Sequence, residues 1–131
     1  MRVKYYKVSV DAVSEKLMEI LEGVPEVKIA VLFGSVLRRS YVRDLDLGVY
    51  MDPEFDVRRF IAMVNMLEDA LGMPVDVVPL KKAPPKLRLK ALLKGARLVV
   101  KDSKLYAYLL SEALSETVDV DLKLKEAVIG G

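Results

Sequence analysis

The chain has 131 residues and a mass of 14.7 kDa, which suits one domain of ordinary size. Hydrophobic residues make up 53% of the sequence and charged residues 31%, a composition that excludes intrinsic disorder. Because the chain contains neither cysteine nor histidine, disulfide frameworks, thiolate metal sites and imidazole catalysis are excluded.

The net charge of +2 is too balanced to indicate nucleic-acid binding by bulk electrostatics. No apolar run approaches the length of a membrane span, and residues 1–7 lack the apolar stretch of a signal peptide. We therefore expect a cytoplasmic, soluble protein that uses neither a membrane nor a nucleic acid as its partner.

The first half of the chain alternates between helical and strand patterns. Apolar residues between Val13 and Leu21 recur at helical spacing and predict a helix. The apolar runs Val27–Phe33 and Leu45–Met51 predict two buried strands, with a short helical turn between them over residues 35–40. The pair Asp52-Pro53 is typical of a helix N-terminus and predicts the start of the next helix there.

The second half continues the alternation. That second helix has an apolar stripe that includes Val57 and Ile61, and a third strand follows over Val75–Leu80. A basic helix, a short strand and a last helix complete the predicted elements. We interpret the basic residues of the third helix as one solvated face, or else as a rim for an acidic partner; they are Lys86, Arg88, Lys90 and Lys94.

The tail is ambiguous, because apolar and charged residues alternate over 118–124 with the period of a strand, although no partner strand is evident. The pattern as a whole predicts an α/β or α+β fold, with a small mixed sheet flanked by helices. We expect one domain over residues 1–131, in which the tail at 118–131 is available to form an interface.

Three aspartates lie on predicted strands. Side chains alternate along a strand, so Asp44 and Asp46 share one face while Leu45 and Leu47 take the apolar face. Asp76 adds a carboxylate to the otherwise apolar third strand. Each can be a solvated strand residue, but three carboxylates that are able to converge fit the hard oxygen ligation of Mg²⁺.

A glycine–serine pair follows the first buried strand. Gly34 and Ser35 can open a helical turn, which would place backbone N–H groups and a hydroxyl near an anion. Gly34 would also let a phosphate approach the backbone closely. An ordinary turn is the alternative interpretation of this pair.

Together these motifs resemble those of the polymerase β superfamily of nucleotidyltransferases. The similarity is strongest to its minimal nucleotidyltransferase proteins, which are encoded as partners of HEPN-domain proteins. It is carried by Phe33-Gly34-Ser35, by Asp44-Leu45-Asp46 and by Val75-Asp76-Val77-Val78, and it covers nearly the whole chain. One departure from the family pattern is the stretch between Ser35 and Asp44, which is shorter than usual at eight residues.

The resemblance implies a polymerase β-like fold and the transfer of a nucleoside monophosphate, expected to be AMP from ATP, to a hydroxyl. Two Mg²⁺ ions would be held by Asp44, Asp46 and Asp76, and Asp76 could take the proton of the acceptor. The β- and γ-phosphates would be held by Gly34 and Ser35. Arg38 would stabilise the departing pyrophosphate, or else it is a solvated residue on the turn.

The resemblance also implies a partner, a HEPN-domain ribonuclease toxin whose tyrosine would accept the AMP, so that this protein would be the antitoxin. Nothing in the sequence itself identifies the acceptor. A different class of function stays open, that of a catalytically weak or inactive binding module that neutralises or scaffolds a partner, as a homodimer or hetero-oligomer. A template-free polymerase is disfavoured because the chain has no basic arm.

Overall fold

The computed structural model describes residues 3–129, with their side chains except at 120, 121 and 127–129. Helices and strands alternate along the chain as the sequence predicts. A four-residue 3₁₀ turn, Gly34–Leu37, follows the second strand. In chain order the elements are β1 (Tyr6–Lys7), α1 (Val10–Glu22), β2 (Val27–Phe33), β3 (Tyr41–Val42), β4 (Leu45–Met51), α2 (Val57–Leu71), β5 (Val75–Pro79), α3 (Pro85–Lys94), β6 (Ala96–Val100) and α4 (Ser103–Ile129).

Four strands form a mixed sheet in the order β5-β4-β2-β6. β2 pairs antiparallel with β4 and with β6, whereas β5 pairs parallel with β4. β2 therefore lies inside the sheet and is buried along almost its whole length. This position explains why its sequence is a nearly continuous apolar run rather than an alternating one.

β1 and β3 form a separate two-stranded sheet that the sequence does not predict. Tyr6 pairs with Val42 and Lys7 with Tyr41, and the Val8 N–H donates a hydrogen bond of 2.8 Å to the Ser40 carbonyl. Strands of two residues are too short to show a periodic pattern. Their pairing ties the start of the described chain to the segment between β2 and β4.

Helices cover both faces of the main sheet. α1 and α2 pack on one face, where their buried residues join Leu45, Leu47 and Val49 of β4 in the larger apolar cluster. α3 and α4 pack on the other face, in a smaller cluster that includes Phe33. On β4 this second face carries Asp46, so the polar face of the strand lies on the side of α3 and α4.

The start of α2 corrects one prediction. The helix begins at Val57 and is capped by Asp56, whose carboxylate accepts a 2.8 Å hydrogen bond from the Arg59 N–H. Residues 52 and 53 lie instead in the connection after β4. Val57 and Ile61 belong to the predicted apolar stripe of this helix, but they are 74% and 52% exposed. The pair Asp52-Pro53 is an ambiguous pattern, because aspartate and proline are as common in turns as at helix N-termini.

The alternating pattern of the tail suggested a strand, but the tail is helical. α4 continues through residues 118–124 to Ile129. A helix pairs its backbone N–H and C=O groups within the segment, whereas a strand needs a partner strand. A segment without a partner strand is therefore more stable as a helix. Leu114, Val118 and Leu122 are about half exposed along it. No helix in the described part of the chain is long and apolar enough to cross a membrane. The last two residues of the predicted tail lie outside the described residues.

Arg88 corrects the expectation that the basic residues of α3 form one solvated face. Its side chain is buried, with a total exposure of 8% for the residue. Nη1 donates to Oε1 of Glu112 at 3.0 Å, and Nη2 donates to the Ala83 carbonyl at 3.0 Å. A buried guanidinium requires such partners, because its desolvation is otherwise unfavourable. Arg88 thus connects α3 with α4 and with the loop before α3.

We expect Arg88→Ala to lower the free energy of unfolding by about 1–3 kcal/mol, because it leaves Glu112 and the Ala83 carbonyl without their donor. Urea unfolding followed by circular dichroism would measure the change. The control is Lys94→Ala on the same helix, whose side chain is exposed and whose effect should stay within about 0.5 kcal/mol. Equal stability of the two variants would contradict this role of Arg88.

Candidate active site

The parallel pairing of β4 and β5 brings two predicted site residues side by side. Asp46 is the register partner of Asp76. Partner residues on neighbouring strands point to the same face of a sheet, with backbones about 5 Å apart. Asp44 lies two residues before Asp46, where the Leu45 N–H donates to the Pro74 carbonyl at 3.1 Å. All three carboxylates therefore belong to one end of the sheet.

The turn after β2 lies against the same carboxylate group. Phe33, the last residue of β2, is the register partner of Asp46. Gly34 follows with a φ of 85°, and a Cβ on this residue would lie 2.2 Å from Oδ2 of Asp46. Glycine is therefore required here by the left-handed backbone and by the approach of the carboxylate. The turn after β2 and the carboxylate of Asp46 therefore lie next to each other at one end of the sheet.

Ser35 and Arg38 occupy the 3₁₀ turn that begins at Gly34. Ser35 is partly buried, and its carbonyl accepts hydrogen bonds from the N–H groups of Arg38 and Arg39 at 3.0 and 2.9 Å. Arg38 ends the turn with an exposed side chain. The structure thus places Ser35 beside the carboxylate end of the sheet, and it leaves the Arg38 guanidinium in solvent.

Leu80 bounds the site along β4. Gly48 follows Asp46 on the same face, and a Cβ on Gly48 would lie 2.9 Å from Cδ2 of Leu80 and 3.1 Å from Cγ2 of Val31. The leucine side chain therefore packs directly on the strand at this point. It separates the acidic end of β4 from Tyr50 at the other end.

Asp46 is the most enclosed of the three carboxylates, since Asp44 and Asp76 are exposed. Burial raises the pKa of Asp46 above its usual value, and the charges of Asp44 and Asp76 raise it further, whereas Lys90 of α3 lowers it. The three carboxylates are thus close enough to repel one another. A cation bound among them would relieve this repulsion.

The donor chemistry of these carboxylates fits Mg²⁺, which prefers hard oxygen ligands. As the side chains lie, no three carboxylates within residues 3–129 form a group ready to hold a metal ion. Binding of an ion next to Asp46 therefore requires the exposed side chains of Asp44 and Asp76 to turn toward it.

The basic residues of α3 do not share one environment. Lys90 is exposed, as the interpretation of a solvated face expects, and its charge lowers the pKa of Asp46, whereas Arg88 is buried against α4. No local pattern distinguishes them. The difference arises from the way α3 packs on the sheet, which the residues of the helix do not determine alone.

Comparison with known proteins agrees with this geometry. The family model described as "Polymerase beta, Nucleotidyltransferase" matches residues 15–104, which include the turn and the three aspartates. No curated protein sequence matches the chain. The match confirms the superfamily that the motifs resemble.

Three solved structures illustrate the likeness in fold. The chain is 20% identical to a chain of the toxin–antitoxin complex MntA–HepT, with a TM-score of 0.71 over 92% of this chain and 96% of that one. It is 21% identical to a chain of the tri-AMPylated HEPN toxin in complex with MNT antitoxin from Shewanella oneidensis, with a TM-score of 0.72 over 92% and 95%. A toxin–antitoxin complex with AMP-PNP gives 22% identity and a TM-score of 0.73 over 89% and 95%.

These structures confirm the predicted fold, a small mixed sheet between helices. The family model spans more than half of the chain and contains every residue of the turn and of the carboxylate group. The chain therefore belongs to the polymerase beta nucleotidyltransferase family.

Proposed function

We propose that this protein is a magnesium-dependent nucleotidyltransferase that transfers AMP from ATP to a hydroxyl of a HEPN-domain toxin, and that it acts as the antitoxin. The observation that carries the proposal is the close approach of Gly34 to Asp46, the register partner of Asp76, which supports a phosphate-binding turn beside paired carboxylates. Structures with this fold include an AMPylated HEPN toxin complex and a complex with AMP-PNP.

In the proposed reaction, the acceptor oxygen forms a bond to the α-phosphorus of ATP while the bond to the bridging oxygen of pyrophosphate breaks. The carboxylate of Asp76 accepts the proton of the hydroxyl, as its exposed position beside Asp46 allows. Mg²⁺ ions held by Asp44, Asp46 and Asp76 would neutralise the charge that develops on the phosphate oxygens.

The turn orients the leaving group. Gly34 and Ser35 bind the β- and γ-phosphates through backbone N–H groups and the serine hydroxyl. Arg38 reaches the departing pyrophosphate from the solvent side of the turn, where its guanidinium is available as a bidentate donor.

The position of the site suits a protein as the acceptor. Asp44 and Asp76 are both exposed at the end of the sheet rather than enclosed in a cleft. A tyrosine on the surface of another folded protein can therefore reach them. We propose a tyrosine of the HEPN toxin as the acceptor.

Asp44→Asn should abolish AMP transfer, because it removes a ligand charge while keeping the side-chain volume. The assay incubates the protein with a HEPN-domain partner, Mg²⁺ and each labelled nucleoside triphosphate, and measures the intact mass of both proteins. The wild type should add one AMP mass per modified tyrosine. The control is Asp69→Asn, an exposed aspartate of α2, which should transfer AMP normally. Transfer that persists in Asp44→Asn would refute the assigned site.

Gly34→Ala should lower the transfer rate about 100-fold, because the new Cβ would have to displace the Asp46 carboxylate. Gly23→Ala is the matched control, since Gly23 has a φ of −76° and a Cβ there would lie 3.4 Å from the nearest atom. The initial rate of AMP transfer would be measured for both variants at saturating ATP. Equal rates would show that the approach of Gly34 to Asp46 has no part in the reaction.

The alternative function, a binding module, is favoured by one observation, the partly exposed apolar residues Leu114, Val118 and Leu122 on α4. Their spacing of four places them on one side of the helix. Such a surface can bind a partner without any chemistry.

The two functions differ in the effect of removing all three carboxylates. If AMP transfer causes neutralisation, a variant with asparagine at 44, 46 and 76 should lose protection of cells that express the toxin. Co-purification with the toxin would establish that the variant still folds and binds. Protection at the level of the wild type would favour the binding module.

A further inference from the structure

A pocket of about 190 Å³ lies between the start of α2 and the last residues of β4 and β5. Val49 and Pro79 line it, and they are register partners three residues beyond the pair Asp46 and Asp76. Three residues of a strand span about 10 Å. Val49 also belongs to the apolar cluster on the α1 and α2 face, whereas Asp46 lies on the α3 and α4 face. The pocket is therefore separate from the candidate active site.

The walls of this pocket are apolar. Met51 of β4 and Phe60 of α2 line it, together with Phe55 from the connection between these two elements. Side chains of this kind offer no hydrogen-bond partner to the polar edge of a nucleobase, and burial of such an edge without partners is unfavourable. They favour a hydrocarbon or phenyl group instead. An apolar cavity of about 150 Å³ is large enough to bind benzene, so the pocket suits one ring of that size.

The polar side chains of the pocket are Glu54, Lys81 and Lys82, all of them exposed. Nζ of Lys81 lies 3.8 Å from Oε1 of Glu54, and Nζ of Lys82 lies 3.6 Å from Oε2 of the same carboxylate. Both distances exceed the length of a hydrogen bond. Two ammonium groups thus share one carboxylate, so this trio has a net charge of +1 and keeps N–H donors for a further anion.

We propose that the pocket binds a small aromatic carboxylate, with its ring against the apolar walls and its carboxylate at Lys81 and Lys82. Ligand pockets are commonly apolar, with a few polar groups that fix the orientation of the ligand. Here the two lysines select an anion, because they would repel a cation of the same shape. The inference goes beyond AMP transfer, since none of the residues assigned to that reaction lines the pocket.

The test compares phenylpropionate, a phenyl ring with a short acid chain, with phenylpropanamide, which has the same ring and no charge. Titration of protein labelled with carbon-13 in its methionine methyl groups would follow Met51 in the pocket. Met73 is the reference, because it is equally buried but precedes β5 at the other end of the sheet. Phenylpropionate should shift the Met51 signal saturably and leave Met73 unchanged. Its dissociation constant should be about fivefold lower than that of the amide, as a charge-assisted hydrogen bond predicts.

Replacement of both Lys81 and Lys82 by glutamine should abolish this preference, so that the acid binds no more tightly than the amide. The matched control replaces Lys123 and Lys125 by glutamine, because they are two exposed lysines of α4, which packs on the other face of the sheet. The control should keep the preference of the wild type. Circular dichroism would establish that both variants fold.

Three results would overturn the inference. The first is a Met51 signal that stays unchanged up to the solubility limit of phenylpropionate. The second is equal affinity of the wild type for the acid and the amide, which decides the question even if the variant without Lys81 and Lys82 fails to fold. The third is a preference for the acid that survives in that variant, because the anion would then bind elsewhere. None of these results depends on whether the protein transfers AMP.

Discussion

The close approach of Gly34 to Asp46 is the constraint on which the site depends. The carboxylate occupies the space that a side chain on residue 34 would need, so the turn and the strand fit together only with glycine at that position. The antiparallel pairing of Phe33 with Asp46 fixes this contact, and the parallel pairing of Asp46 with Asp76 extends it to β5. Hydrogen bonds of the sheet thus set the relative positions of groups that are far apart in sequence.

The arrangement concentrates negative charge at one end of a small sheet. The opposite face of β4 is fully apolar and packs on α1 and α2, so the strand is anchored by burial while its other face carries the acids. Repulsion among the carboxylates is unfavourable for the protein without bound cations, and Lys90 offsets part of it.

Much of this architecture could be predicted from the sequence, because strong local patterns coincide with the fold. The apolar run of β2, the alternation in β4 and the glycine after β2 each have a direct structural cause, and the fold places Gly34 close to Asp46 and Asp46 opposite Asp76. The limits of α2, the helical tail and the burial of Arg88 could not be predicted, since each depends on which partner a segment meets in space. Lys90 and Arg88 lie two residues apart on one helix, and only packing against the sheet and α4 gives them different environments.

The pairing of β1 with β3 has a consequence for the shortened segment between Ser35 and Asp44. Val42 is 2% exposed, and the segment is fastened by backbone bonds to residues 6–8. Residues 40–42 of this segment, on the side nearer Asp44, are thereby held by residues 6–8. Proteolytic removal of residues 6–8 would delete these backbone hydrogen bonds without removing any acidic group, so the two-stranded sheet should be kept intact when the protein is prepared or fused to another.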